Sequence, residues 1–203
     1  MAVELKRRGH EIIMIVFHKK GRSHAKTLIE AGIKIYAIDF PPLRSLKTPF
    51  GINRATKAFL KTRRILKHFD PDIVHPHLLE SDIWIGFNQL SGTPGKIVTS
   101  RLSLGLFKEG QPWKQVLQNW VNKRTEVIIC NAQAVGDDSV QREKNFDEYK
   151  IRIVRNGIEW DDFAGAEPVP ESEMPFEKKG PVVMCVANYH TYKGHADLLE
   201  AWA

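Results

Sequence analysis

Short, wholly apolar runs alternate along this chain with longer stretches in which apolar residues return every three or four positions. Ile12 to Phe17 is an unbroken apolar run and reads as a buried strand, followed by a short helix from Ser23 to Ala31 that Gly32 closes. Ile33 to Phe40 alternates as a strand until Pro41-Pro42 breaks it. From Ile52 to Phe69 the period predicts a long amphipathic helix with Ile52, Ala55, Phe59, Leu66 and Phe69 on its inner face. Strands follow at 72–75, 96–100, 127–130 and 151–154, and helices at 80–90, 112–123 and 134–144. Such regular alternation predicts an α/β fold: a parallel sheet with helices on both faces.

The pattern changes near residue 164. The segment "AGAEPVPESEMPFEKKGP" from Ala164 to Pro181 is rich in Pro, Glu and Lys, has no period and reads as a linker. A fresh apolar run, Pro181 to Val186, predicts a strand, and Tyr192 to Ala203 the start of a helix that shows no closing signal. At the other end, Val3 and Leu5 followed by Lys6-Arg7-Arg8 and Gly9 resemble the last turns of a helix with no strand before it. The organisation expected is a domain over 1–163 truncated at its start, a linker over 164–180, and the first strand and helix of a second domain over 181–203.

Composition narrows the class without choosing a function. With 42% hydrophobic and 27% charged residues, the 203-residue chain has the balance of a folded globular protein. No apolar run approaches membrane-spanning length, and the N-terminus lacks a secretory layout, so a cytoplasmic location is expected, at most peripheral on the inner face of a membrane. The thiols Cys130 and Cys185 each end an apolar run and are expected to be buried and reduced. A net charge of +6 favours anionic partners. Much of it lies on the 52–69 helix, whose basic face would suit an anionic bilayer or simply solvent; nothing accompanies it that would suit a nucleic acid.

Candidate chemistry gathers where strands end. In "FDPDIVHPHLLESD", His75 and His77 close a strand at the edge where open α/β sheets bind ligands. They could begin a metal site, but only Glu80 and Asp82 are near as further ligands, and a pair satisfied by the backbone is the alternative; no metal is expected. Arg101, after the next strand, would bind an acidic group or stand solvated in its loop. Asn156-Gly157 after the last strand of the domain predicts a tight turn with Gly at positive φ. In "VANYHTYKGHADLLEAWA", Lys193-Gly194 at a helix start places a cation beside free backbone N–H groups, a suitable arrangement for a diphosphate, or leaves an exposed lysine.

In order and spacing, "LKRRGHEI", "PDIVHPHLLESDIWIGF", "VTSRLSLG", "VIICNAQAV", "KIRIVRNGIEWDDF" and "VANYHTYKGHADLLEAWA" resemble the family-four retaining glycosyltransferases of the GT-B fold. The resemblance implies an acceptor domain and a nucleotide-sugar domain, and transfer of a sugar with retention to a hydroxyl acceptor, without a cofactor or metal. It implies a saccharide or lipid-linked acceptor, and thus cell-envelope polysaccharide or glycolipid synthesis. His77 matches the histidine that approaches the transferred sugar, and Lys193 the lysine that neutralises the departing diphosphate, so these two are the catalytic candidates. Asn188, His190, Lys193 and Gly194 match the donor loop; His75, Arg101, Asn156 and Gly157 would line the acceptor side. Many relatives have arginine where Asn188 stands here, which leaves His190 as the nearest cationic side chain. The resemblance also places the family's first strand and its donor-gripping glutamates outside these residues. The chain on its own is therefore expected to be inactive, and a non-catalytic remnant or binding module is the alternative reading.

Overall fold

The computed structural model describes residues 1–18, 25–105, 112–144, 147–158, 160–167, 169–177 and 180–202. Its contacts divide the chain into two compact units, Met1–Asn156 and Gly157–Ala203.

The first unit alternates helix and strand. Helix α1 (Ala2–Arg7) leads into β1 (Ile13–Val16), α2 (Ala25–Glu30) and β2 (Lys34–Ala37), and β1 and β2 pair in parallel with Met14 opposite Ile35. Then come α3 (Pro49–Phe69), β3 (Ile73–Val74), α4 (Leu79–Leu90), β4 (Lys96–Arg101), α5 (Pro112–Asn122), β5 (Thr125–Cys130), α6 (Gln133–Arg142) and β6 (Ile151–Ile153). The last four strands form one all-parallel sheet in the order β3-β4-β5-β6, and no ladder among the described residues joins it to the β1-β2 pair. Of the predicted helix at 23–31, residues 23 and 24 lie outside the described residues.

Helix α3 begins earlier than its apolar period suggests. Thr48 caps it, its Oγ1 accepting from the Gly51 N–H at 3.1 Å, and Pro49 occupies the first turn, where its missing N–H costs nothing. Its inner face is also rotated from the predicted one. Gly51, Ala58, Thr62 and Leu66 are buried, whereas Ile52 is 55% exposed. Small residues set this face because the preceding 3-10 turn (Leu43–Lys47) comes very close: a Cβ at Gly51 would lie 1.9 Å from the Ser45 carbonyl oxygen.

Two apolar clusters hold the unit together. Leu66 of α3 and Ile85 of α4 pack on Ile97 of β4, joined by Ile15, Val74 and Trp84. Ile128 and Cys130 of β5 meet Val135 of α6, with Ala132 and Ile151 alongside. Trp84 also gathers the rings of Phe17, Phe40 and Phe59 at centroid distances of 6.2, 4.8 and 5.8 Å, and its indole N–H donates to Thr62 Oγ1. That bond lets a polar tip remain buried without penalty.

The second unit is less regular: a short helix α7 (Trp160–Ala164), 3-10 turns at Glu171–Glu173 and Thr191–Lys193, and α8 (His195–Trp202). Two expectations are corrected here. The apolar run 181–186 is extended, but no described residue pairs with it, and a strand without a neighbour leaves its backbone groups to water. Cys185, in that run, is therefore exposed, while Cys130 is buried as expected.

Candidate functional site

The carboxyl ends of β3 and β4 bring the first candidates together. β3 is only two residues long, and His75, Pro76 and His77 follow it directly. His75 lies within hydrogen-bond reach of Ser100 on β4 (Nε2 to Oγ, 2.7 Å), and its ring packs on that of His77 with centroids 4.3 Å apart and planes inclined by 32°. Burial, then the neighbouring His77 charge, drives the His75 pKa down to about 4, and burial lowers that of His77 as well. Near neutral pH His75 is thus an uncharged imidazole. It can bond hydroxyls as donor at one nitrogen and acceptor at the other. Among the described residues no three His, Cys, Asp or Glu side chains converge as a metal site would require.

After His77 the backbone takes a costly turn. Leu78 has φ 75° and ψ 152°, a region that a branched side chain rarely enters, although 72% of the residue is exposed. Helix α4 starts at the next residue, and Ser81 Oγ donates back to the carbonyls of His77 and Leu78. Backbone held in such a conformation commonly lies beside functional groups. Periodicity carries no sign of it.

Arg101 is neither a solvated loop arginine nor a group open to an incoming acid. It ends β4 at 7% exposure, and its five N–H donors are all engaged. Nε and Nη2 reach the two oxygens of Glu143, both at 3.2 Å, and Nη2 also reaches Asn122 Oδ1 at 2.8 Å. Nη1 donates to Asp82 Oδ2 and to the Ser100 carbonyl, both at 3.3 Å. One cation is thus shared by two buried carboxylates. Burial raises the Asp82 pKa to about 7 against the lowering pull of Arg101 and Gln118, with Glu143 and Glu80 adding to the rise. Sequence reasoning missed Asp82 and Glu143 as partners because they lie 19 and 42 residues from Arg101. Only the apolar setting of Asp82 inside the period of α4 hinted at it.

Beyond β4 the loop is pinned from β5 and α6. The Asn131 N–H and side-chain amide donate to the carbonyls of Arg101 and Leu102, and the Gly105 N–H donates to Asp138. Gly110, the second glycine of that loop, lies outside the described residues.

Asn156 ends the first unit and Gly157 opens the second. The predicted turn does not form: 154–158 has no turn, and Gly157 is not among the positive-φ glycines.

Within the second unit, Asn188, His190, Lys193 and Gly194 do share one loop. The His190 N–H donates to the Asn188 carbonyl, and the Lys193 N–H to that of His190. The rings of His190 and Tyr192 stack at 5.5 Å, and Lys193 Nζ lies 5.1 Å from the Tyr192 ring centroid. The chain does not enter the helix at Tyr192 as expected. A 3-10 turn ends at Gly194, whose φ of 71° turns the backbone before α8 begins. The first bond of α8 runs from the Leu198 N–H to the Gly194 carbonyl, so the N–H groups of residues 195–197 precede the ladder, as those of a helix start do.

Residues 1–162 match the family model described as Glycosyltransferase Family 4. No curated protein matches the chain. The crystal structure of Anabaena Alr3699/HepE in complex with UDP is similar at a TM-score of 0.58 and 11% identity, over 79% of this chain and 40% of that one. At that identity the likeness speaks to the Rossmann-like α/β fold. The chain spans about two-fifths of that protein's length.

Proposed function

Because the chain belongs to glycosyltransferase family 4, we propose that it serves transfer of a sugar, with retention, from a nucleotide-sugar to a hydroxyl of a saccharide or lipid-linked acceptor in cell-envelope synthesis. The observation that carries this reading is the stacked His75–His77 pair at the carboxyl end of β3 in a chain of that family.

In this reading the anomeric carbon–oxygen bond to the diphosphate breaks and the acceptor hydroxyl oxygen bonds to the same face of that carbon. The hydroxyl proton passes to the departing phosphate oxygen. His77, kept neutral by burial, orients the transferred sugar through a hydroxyl without adding charge beside the developing positive carbon. Lys193 places a fixed cation against the charge that builds on the leaving diphosphate, so no metal is called for. Asn188, His190 and Gly194 shape the donor loop, and His75, Asn156 and Gly157 belong to the acceptor side. UDP bound to the similar Anabaena protein supports a nucleotide-sugar as donor. In the domain layout that accompanies this reading, 1–163 takes the acceptor, 164–180 links, and 181–203 begins the donor-binding part.

The acceptor would be met at a membrane surface on the cytoplasmic side. Helix α3 carries Arg54, Lys57, Lys61, Arg63, Arg64 and Lys67 and no acidic residue. Arg54, Lys61 and Arg63 fold back onto the carbonyls of Asp39, Ala37 and Ser91. Lys57, Arg64 and Lys67 remain exposed around the outward Leu60. No described helix is long and apolar enough to cross a membrane, so any contact through α3 is with the surface.

The test is release of nucleoside diphosphate from a panel of nucleotide-sugars with envelope lipids or saccharides as acceptors. The longest product of the reading frame should turn over, and His77→Ala and Lys193→Ala should each lose about 100-fold or more. The 203 residues alone should show no turnover above their own Lys193→Ala variant. Turnover indifferent to both substitutions would overturn the assignment.

A further inference from the structure

We propose that Arg101 is a positioning residue for the His75-Pro76-His77 segment: its guanidinium locks the end of β4 to the first turn of α4, and so fixes the two imidazoles that lie between them in the chain. That His77 touches the sugar rests on the reading above; the clamp itself does not depend on it.

Among the described residues, the segment has few supports besides Ser81, which donates to the carbonyls of His77 and Leu78. It leaves a strand of two residues, and it enters α4 through Leu78 at φ 75°, a conformation that persists only where its surroundings impose it. On the β4 side the support is Ser100, whose hydroxyl meets His75 and whose carbonyl accepts from Arg101 Nη1. On the α4 side it is Asp82, whose carboxylate accepts from the same Nη1 while its N–H donates to the Leu78 carbonyl at 3.0 Å. One nitrogen of Arg101 therefore touches both elements that flank the histidines.

The rest of the side chain anchors that nitrogen. Nε and Nη2 are engaged by Glu143 and Asn122, and Asn122 Nδ2 also donates to Glu143 at 2.8 Å, with Gln118 behind it. A planar fork with fixed donors can meet all these acceptors at once. A lysine ammonium on a flexible stem can meet only some of them. The prediction is therefore selective: the charge alone will not do, whereas loss of charge at Asp82 should be tolerated if an oxygen acceptor remains.

The experiment follows the imidazole nitrogens of the full 203-residue chain, labelled with 15N-histidine, by NMR from pH 5 to pH 8. In the unaltered chain the His75 ring should not titrate in this range, because its midpoint lies at about 4. Arg101→Lys should bring the midpoint up into the range, a shift of about one pH unit or more, and the ring-current shift between His75 and His77 should collapse. Ser100→Ala should release His75 in the same way, and Asp82→Asn should leave both rings as they are. A folded Arg101→Lys protein in which His75 stays silent and the His77 ring shift is unchanged overturns the clamp. Should Arg101→Lys not fold, Asp82→Ala severs the α4 half alone, and silence of His75 there overturns it equally. Sugar transfer plays no part in this readout, so a failure of the transferase reading would leave the result standing.

Discussion

Asp82→Asn is expected to stabilise the protein above neutral pH, although it removes one partner of a buried ion pair. Arg101 holds Glu143 through two donors and Asp82 through one, at 3.3 Å, and both acids are nearly inaccessible to water. Burial outweighs the pull of Arg101 on Asp82, so the singly held acid retains a proton. The folded-state pKa of Asp82 lies at about 7, above the ordinary 3.8 of an aspartate. Between those values the folded chain binds a proton that the unfolded chain has lost, so stability falls as pH rises from about 4 to about 7 and then levels off. At roughly 1.4 kcal/mol per pH unit, ionising Asp82 costs about 4 kcal/mol. An amide resembles the protonated acid, and its oxygen can still accept from Arg101. Its N–H groups would meet the position of Oδ1, which has no hydrogen-bond partner within bonding distance among the described residues, and that takes back about 1–3 kcal/mol. Urea denaturation at intervals from pH 5 to pH 8 gives the difference between variant and parent at each pH. The difference should rise in favour of Asp82→Asn up to about pH 7 and then level off, at about 1–3 kcal/mol by pH 8. Parallel curves, or a parent that gains on the variant as pH rises, would show Asp82 ionised and held by Arg101, and would refute the reasoning.

Three further outcomes follow from particular contacts. Leu78→Gly should stabilise by a net of about 1 kcal/mol in urea denaturation, since glycine enters φ 75° freely and the lost side chain is 72% exposed; Leu78→Ala should not. Gly51→Ala should destabilise by about 3 kcal/mol or more in the same measurement, because the new methyl would meet the Ser45 carbonyl oxygen at 1.9 Å. Sedimentation with vesicles of anionic lipid should show salt-sensitive binding. Neutralising Lys57, Arg64 and Lys67 together should weaken it by about two orders of magnitude, at about 1 kcal/mol per charge; unchanged binding would remove the bilayer from the proposal.

Much of the architecture was legible because parallel sheets write themselves as uninterrupted apolar runs between helical periods. Every strand of the first unit begins and ends within three residues of its predicted span, since short apolar runs such as Ile13–Val16 suit the strands of a parallel sheet. What failed, failed for reasons a period cannot carry. The start of α3 was written as Thr48-Pro49, a cap and a first-turn proline, yet the apolar count begins only at Ile52. Its inner face was misjudged because close approach to the 3-10 turn selects Gly51 over a larger residue, and Ile52 beside it turns outward. The run 181–186 has the composition of a strand, but pairing is a property of two segments, and none of the described residues supplies the second.

The same limit explains how the site was read. His75 and His77 were found because their neighbours in sequence, a strand and a helix start, define the edge where they stand. Arg101 was placed at that edge correctly and given the wrong neighbours. Its fate depends on Asp82, Asn122 and Glu143, which reach it from α4, the end of α5 and the segment after α6. A lone arginine at the end of a strand looks free to take a ligand's acid. Once both carboxylates are seen to hold its donors, the opposite holds: Arg101 is already engaged, and burial leaves Asp82 with a raised pKa beside it. An arginine in that state cannot attract a further anion without releasing one it already holds, which would leave a buried carboxylate unpaired at several kcal/mol. On the reading proposed above, the charge of a leaving diphosphate is therefore met elsewhere. Of the cations named here, Lys193 stands exposed in the loop before a helix start, and Arg101 is left to hold the histidines still.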